Sequence, residues 1–131
     1  GNAADARNPG PLLEIGIRGV VDLALEEPPP RLTRDMLVCR FPIIDGGGNR
    51  LEVLSAAVVT TAALLHRQVP LLVACSGGMS RSPAVAAAAL ALDRRKRPDV
   101  VLRECFEGKP CDLSAALWLD IEAVYADLVT L

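Results

Sequence analysis

The run Val69-Pro70-Leu71-Leu72-Val73-Ala74-Cys75-Ser76-Gly77-Gly78-Met79-Ser80-Arg81-Ser82-Pro83 constrains the chain more than any other feature. Its first part is a short apolar segment bounded by a proline and glycines, the pattern of a fully buried strand. A cysteine then opens a glycine-bearing loop, and an arginine closes it. Ser82 predicts an N-cap, and Pro83 suits the first helical position. The alanine-rich run from Ala84 to Leu92 continues as a helix packed into a core. Gly77 and Gly78 supply the φ freedom to curl backbone N–H groups around one point. Such a nest at a helix N-terminus is an anion site. A buried strand, a Cys-to-Arg loop and a helix therefore place a thiol beneath an oxyanion cradle.

The bare Cys-to-Arg spacing proves little, because twelve of the 131 residues are arginine. The strand–loop–helix context carries the inference, against the alternative of a buried structural cysteine beside a solvent-facing arginine. In that context each residue has a role. N–H groups of Ser76, Gly77, Gly78, Met79 and Ser80, with the helix dipole, lower the Cys75 pKa and make thiolate available. Arg81 holds two phosphate oxygens bidentately. Ser82 donates a hydrogen bond to the sulfur and eases its departure. A cysteine nucleophile also needs an acid for the oxygen it expels. Asp45 is the candidate, in Phe41-Pro42-Ile43-Ile44-Asp45-Gly46-Gly47-Gly48-Asn49, just past a strand expected over Met36 to Phe41. In parallel α/β sheets, ligands bind outside the carboxyl ends of strands, so Asp45 and Cys75 can share a rim. A plain turn aspartate before three glycines is compatible with that role.

With these residues in place, the chain resembles the cysteine-based protein phosphatases of the dual-specificity type. Cys75, Gly78, Arg81 and Ser82 match the signature Cys-x-x-Gly-x-x-Arg-Ser/Thr, and Asp45 matches the placement of that family's general acid. Gly16 to Ala24 looks like the family's strand after a short helix, and Gly1 to Arg7 like the segment before that helix. The resemblance spans nearly the whole chain, but only the Cys loop is highly specific. It implies a phosphomonoester hydrolase working through a phosphocysteine, on phosphotyrosine and also phosphoserine or phosphothreonine, with no metal or organic cofactor. Positions 76 to 80 hold no lysine, which weakens the case for inositol lipids.

Two departures stand out. The family usually has histidine before the cysteine, where this chain has Ala74; the only histidine, His66, is expected at a helix end on the surface. The family also opens with a β-strand ahead of the Gly-Asn-Ala segment at which this chain begins. A sheet without that strand exposes a neighbour to pairing, which makes oligomers or poor solubility possible; the expected state is a monomer or a weak oligomer. Three alternatives remain beside the phosphatase. One is a catalytically weak phosphate-binding module. The second is a rhodanese-like sulfurtransferase, disfavoured by the loop length and by Asp45. The third is an arsenate reductase relayed through Cys105 and Cys111.

Composition fits one domain over residues 1–131, long enough for a core. The apolar share is 51% and aromatics only 3%, so the core must be built from Ala, Val and Leu. Mean hydropathy is +0.33. A net charge of −2 leaves no nucleic-acid footprint. The basic cluster Arg94 to Arg97 reads as a solvated helix C-terminus. No apolar run reaches membrane-span length, and no signal peptide is visible. The four cysteines lack paired zinc spacing. A thiol nucleophile predicts a reducing compartment, the cytoplasm, without structural disulfides. Cys39 is expected to be a buried structural residue.

The expected order is a helix over Pro11 to Ile15, a strand over Gly19 to Ala24, the stiff Glu26-Glu27-Pro28-Pro29-Pro30 loop and one helical turn over Thr33 to Asp35. A strand to Phe41 follows, then a helix over Leu51 to Arg67 with Leu51, Leu54, Val58, Ala62 and Leu65 on one stripe. After the Cys loop and its helix come helices over Pro98 to Cys105 and, capped by Asp112 or Ser114, to Val129. Trp118 and Tyr125 belong to the core. Alternating strands and helices predict an α/β fold, a mostly parallel central sheet with helices on both faces.

Overall fold

A computed structural model describes residues 1–31 and 35–130. The helical turn expected at Thr33 falls mostly outside that range. Two short helices, α1 (Ala3–Ala6) and α2 (Pro9–Glu14), precede β1 (Gly19–Ala24) and β2 (Leu37–Ile43). Then come α3 (Leu51–His66), β3 (Leu71–Ala74), α4 (Arg81–Arg94), α5 (Pro98–Phe106) and α6 (Ala115–Val129). The strands pair in parallel in the order β2-β1-β3. β1 is buried along its whole length, as the central strand of a sheet covered on both faces must be.

Strand alternation sorts the core into two layers. Val21 and Leu23 face one side with Ile43, Leu54, Val58, Val85, Leu117 and Ile121, the packing surfaces of α3, α4 and α6. Val20 faces the other side with Ala6, Leu12, Met36 and Ala74 beneath α1 and α2. Ala74 points into this second layer and Cys75 into the first, so the chain leaves β3 with its thiol toward α4. A third cluster joins α4 and α5 through Ala87, Ala91 and Val101, with Trp118 and Tyr125 against it, in the packing role expected of those aromatics. The small residues of α4 are what let neighbouring helices approach it so closely; Ala84, Ala87, Ala88, Ala89 and Ala91 are all fully buried.

Several local expectations shift. On α3 the buried face is Leu54, Ala57, Val58, Thr61 and Ala62, whereas Leu51 in the first turn is half exposed. Thr61 is tolerated there because its hydroxyl donates to the Ala57 carbonyl at 2.7 Å. Helix α4 begins at Arg81 after Ser80, so Ser82 and Pro83 lie inside its first turn and Ser82 is not the cap. Ser114 caps α6, accepting from the Leu117 N–H at 3.3 Å. Cys39 is half-buried on β2, with β1 between it and the strand that leads to Cys75. His66 ends α3, exposed, 3.2 Å from Asp93. No helix among the described residues is long and apolar enough to cross a membrane.

One ion pair matters for what lies above the sheet. Asp22 and Arg40 are register partners on β1 and β2, and their side chains meet at 2.7 Å with Asp22 buried. The same guanidinium donates to the carbonyls of Ala24 at 3.0 Å and Glu27 at 2.9 Å. It thereby folds the chain leaving β1 back over the sheet's carboxyl edge.

Candidate functional site

β1, β2 and β3 all end at one edge, and the segments that follow them meet there. A cavity of about 120 Å³ is lined by Asp45, Cys75, Gly77, Met79, Ser80, Arg81 and Asp112. Of the nine residues expected at the site, six line this cavity. Of the other three, Gly78 and Ser82 contact the Cys75 sulfur, and Ser76 bonds Glu27.

Cys75 is 2% exposed. Gly78 donates its N–H to Sγ at 3.2 Å, and the Ser82 hydroxyl oxygen lies 3.4 Å from the sulfur. Burial alone would push the thiol up. The Ser82 hydroxyl and the N–H groups of Ser82, Gly78 and Ser80 outweigh it, so the Cys75 pKa lies below the ordinary thiol value. Ser82 also reaches the Gly1 carbonyl at 3.4 Å. Its single proton has two uses: donated to Gly1 while Cys75 is a thiol, and turned to the sulfur once it is a thiolate. No histidine at position 74 is needed for this, and Ala74 is fully buried among apolar neighbours.

Gly78 carries the conformational demand of the loop. Its φ is +74°, and a Cβ there would lie 2.9 Å from the Gly1 carbonyl oxygen. Gly77, expected to share that role, has no positive φ and open space around it. Ser76 donates from Oγ to Glu27 at 2.9 Å, and its carbonyl accepts the Ala3 N–H at 3.2 Å.

Arg81 is held by three side-chain hydrogen bonds. Its side chain is 4% exposed. One terminal nitrogen, Nη1, donates to Glu26 at 2.6 Å and to the Ile43 carbonyl at 2.9 Å, which uses both of its protons. Nη2 gives one proton to the other Glu26 oxygen at 3.0 Å. What remains is one Nη2 proton and Nε–H, and Nε is the one buried side-chain N or O without a partner among the described residues. That pair of protons is the side-on fork of a guanidinium, matched to two oxygens of a tetrahedral oxyanion. Burial works against the Arg81 charge, but Glu26 foremost, then Cys75 and Asp45, more than compensate and raise its pKa. Glu26 is correspondingly lowered, chiefly by its hydrogen bond from Arg81.

Asp45 also lines the cavity and is exposed. Its loop is clamped by Asn49, whose Oδ1 accepts from the Ile44 N–H at 2.8 Å while Nδ2 donates to the Ile44 and Gly46 carbonyls at 2.8 and 3.2 Å. Gly46 and Gly48 take positive φ in that turn. Three residues here escaped the sequence analysis: Glu26, Asn49 and Asp112. The signal for Glu26 was present, because it follows a strand's carboxyl end as Asp45 and Cys75 do. Asn49 and Asp112 carried no comparable mark.

The geometry agrees with known structures. Human DUSP28 superposes with a TM-score of 0.84 at 21% identity, over 99% of this chain and 92% of that one. A mouse protein described as a dual-specificity phosphatase, complexed with zinc tungstate, gives 0.84 at 24% identity, over 99% and 82%. Human tyrosine phosphatase-like serine/threonine/tyrosine-interacting protein gives 0.74 at 16%, over 98% and 91%. No protein-family model and no curated protein matches the sequence itself. The chain has the dual-specificity type of cysteine-phosphatase fold.

Proposed function

We propose that the chain is one catalytic domain, a cysteine-dependent phosphomonoester hydrolase acting on phosphotyrosine and other phosphorylated side chains. The observation that carries this is the unpartnered Nε of Arg81, buried in a cavity floored by a thiol of lowered pKa.

In the first step the Cys75 thiolate attacks phosphorus in line, forming the S–P bond as the ester P–O bond breaks. The Arg81 fork and the loop N–H groups of residues 76 to 81 hold the equatorial oxygens. Asp45 gives its proton to the leaving oxygen. In the second step Asp45, now a carboxylate, takes a proton from water. That water displaces the thiolate from phosphorus and releases inorganic phosphate. Ser82 stabilises the sulfur anion each time it leaves. The chain's residues carry every step, with no metal or organic cofactor assigned a part, and the thiolate requirement favours a reducing compartment such as the cytoplasm.

A second reading, a phosphate-binding module without turnover, is favoured by Ala74 and by the exposed setting of Asp45. Hydrolysis of p-nitrophenyl phosphate from pH 5 to 8 separates the two. Turnover lost in Cys75→Ser and slowed in Asp45→Ala supports the hydrolase. No wild-type turnover, with vanadate still bound, supports the module.

A further inference from the structure

The phosphate cavity is short of positive charge. Among the described residues Arg81 is the only cation lining it, and Glu26 already pairs with Arg81 through both carboxylate oxygens. Against that single guanidinium stand Glu26, the Cys75 thiolate, Asp45 and Asp112. Arg7 lies 3.6 Å from Glu27 and Arg40 pairs with Asp22 at 2.7 Å, so each of these arginines offsets another carboxylate.

Asp112 is held at the mouth by backbone, independent of its own side chain. Its N–H donates to the Met79 carbonyl at 2.8 Å, and two residues on the Ser114 N–H donates to Ser80 Oγ at 3.0 Å. The segment before α6 is thus hooked onto the Cys loop. The carboxylate it presents is exposed and has no ion-pair partner among the described residues. An acidic rim says nothing about a ligand by itself. Here it surrounds the unpartnered Arg81 Nε, on a side chain 4% exposed, so the oxyanion must be seated within that rim.

We infer that Asp112 selects phosphopeptides carrying lysine or arginine beside the phosphorylated residue, and rejects acidic or multiply phosphorylated ones. The inference rests on the phosphate-site reading above. A phosphate dianion entering this rim meets like charge at Asp112. The loop N–H groups and Arg81 satisfy the phosphate, and only a cation on the substrate satisfies Asp112. A second phosphate or a flanking glutamate places another anion against it and receives no partner.

The test is equilibrium binding of two phosphotyrosine peptides of equal length, one flanked by lysines and one by glutamates, to the Cys75→Ser protein, which cannot turn them over. The expected result is about tenfold tighter binding of the lysine peptide at low salt, narrowing at high salt. The gap should shrink in Asp112→Asn and reverse in Asp112→Lys. Equal affinities, a preference for the glutamate peptide, binding of neither, or a gap that Asp112→Lys leaves intact would overturn the inference. Wild-type turnover of p-nitrophenyl phosphate, measured alongside, reports separately on the hydrolase reading, since that substrate has no flanking charge.

Discussion

The floor of the site and its rim are built on different terms. The floor, from Cys75 to Ser82, is a closed local circuit. Gly78 and Ser82 act on the sulfur from within seven residues of it, Gly78 fits only because it lacks a Cβ, and Arg81 is buried with three protons already assigned. The rim is assembled from three separate segments. Glu26 arrives through a loop shaped by Arg40, Asp45 through a turn clamped by Asn49, and Asp112 through a hook onto Met79. Its carboxylates are exposed, and water screens them. Loss of the Cys75 sulfur or of the Arg81 fork should therefore be all-or-none, while the rim should tune rate and substrate by degrees, and Ser82, one of several donors to the sulfur, should tune pH.

The largest effect separating the two is expected from Arg81→Lys. Lysine keeps the charge and loses the fork, so kcat/KM on p-nitrophenyl phosphate should fall by about 10²–10³-fold. A drop of only a few-fold would mean that charge, not bidentate geometry, holds the phosphate. Glu26→Gln comes next. The carboxamide keeps one acceptor but cannot take both guanidinium protons, so Arg81 loses its fixed direction and kcat/KM should fall about tenfold. Were this change as severe as Arg81→Lys, Glu26 would belong to the floor. Removing the Asn49 clamp in Asn49→Ala should cost about three- to tenfold in kcat, most for substrates with poor leaving groups that depend on Asp45. Equal losses across leaving groups would dissociate Asn49 from the acid.

The smallest effect is a shift along the pH axis. Ser82→Ala removes a donor that favours the thiolate and leaves the burial that disfavours it. The Cys75 pKa must then rise. The thiolate fraction at a given acidic pH falls, and the midpoint of iodoacetamide alkylation moves to higher pH. A midpoint moving down, or staying still, would remove Ser82 from the account of the sulfur.

The same division explains what the sequence disclosed. β1 lies at Gly19–Ala24 as its apolar pattern predicts, and the Cys loop is legible because its strand, glycines and arginine are consecutive. The rule that ligands gather at strand ends singles out Asp45, which lines the same cavity as Cys75. Glu26 obeys the same rule but sat in a proline-rich loop that read as mere polarity, and its partner Arg81 is 55 positions away. Asp112 is at the cavity because its N–H bonds the Met79 carbonyl and the Ser114 N–H bonds Ser80 Oγ, and neither bond depends on the Asp112 side chain, so neither marks that residue in the sequence. The start of α4 was misplaced for a related reason. Ser82 has the chemistry of a cap, but the sulfur and the Gly1 carbonyl claim its hydroxyl instead.

The most direct test of the hydrolase reading is to find the phosphate on the sulfur. In Asp45→Asn, p-nitrophenyl phosphate still phosphorylates Cys75, because its leaving group needs no acid, but water is no longer activated for the second step. Acid-quenched protein, digested and analysed by mass spectrometry, should carry a phosphate on the peptide containing Cys75, and none after Cys75→Ser. Turnover with phosphate never found on that peptide, or persisting in Cys75→Ser, would contradict it.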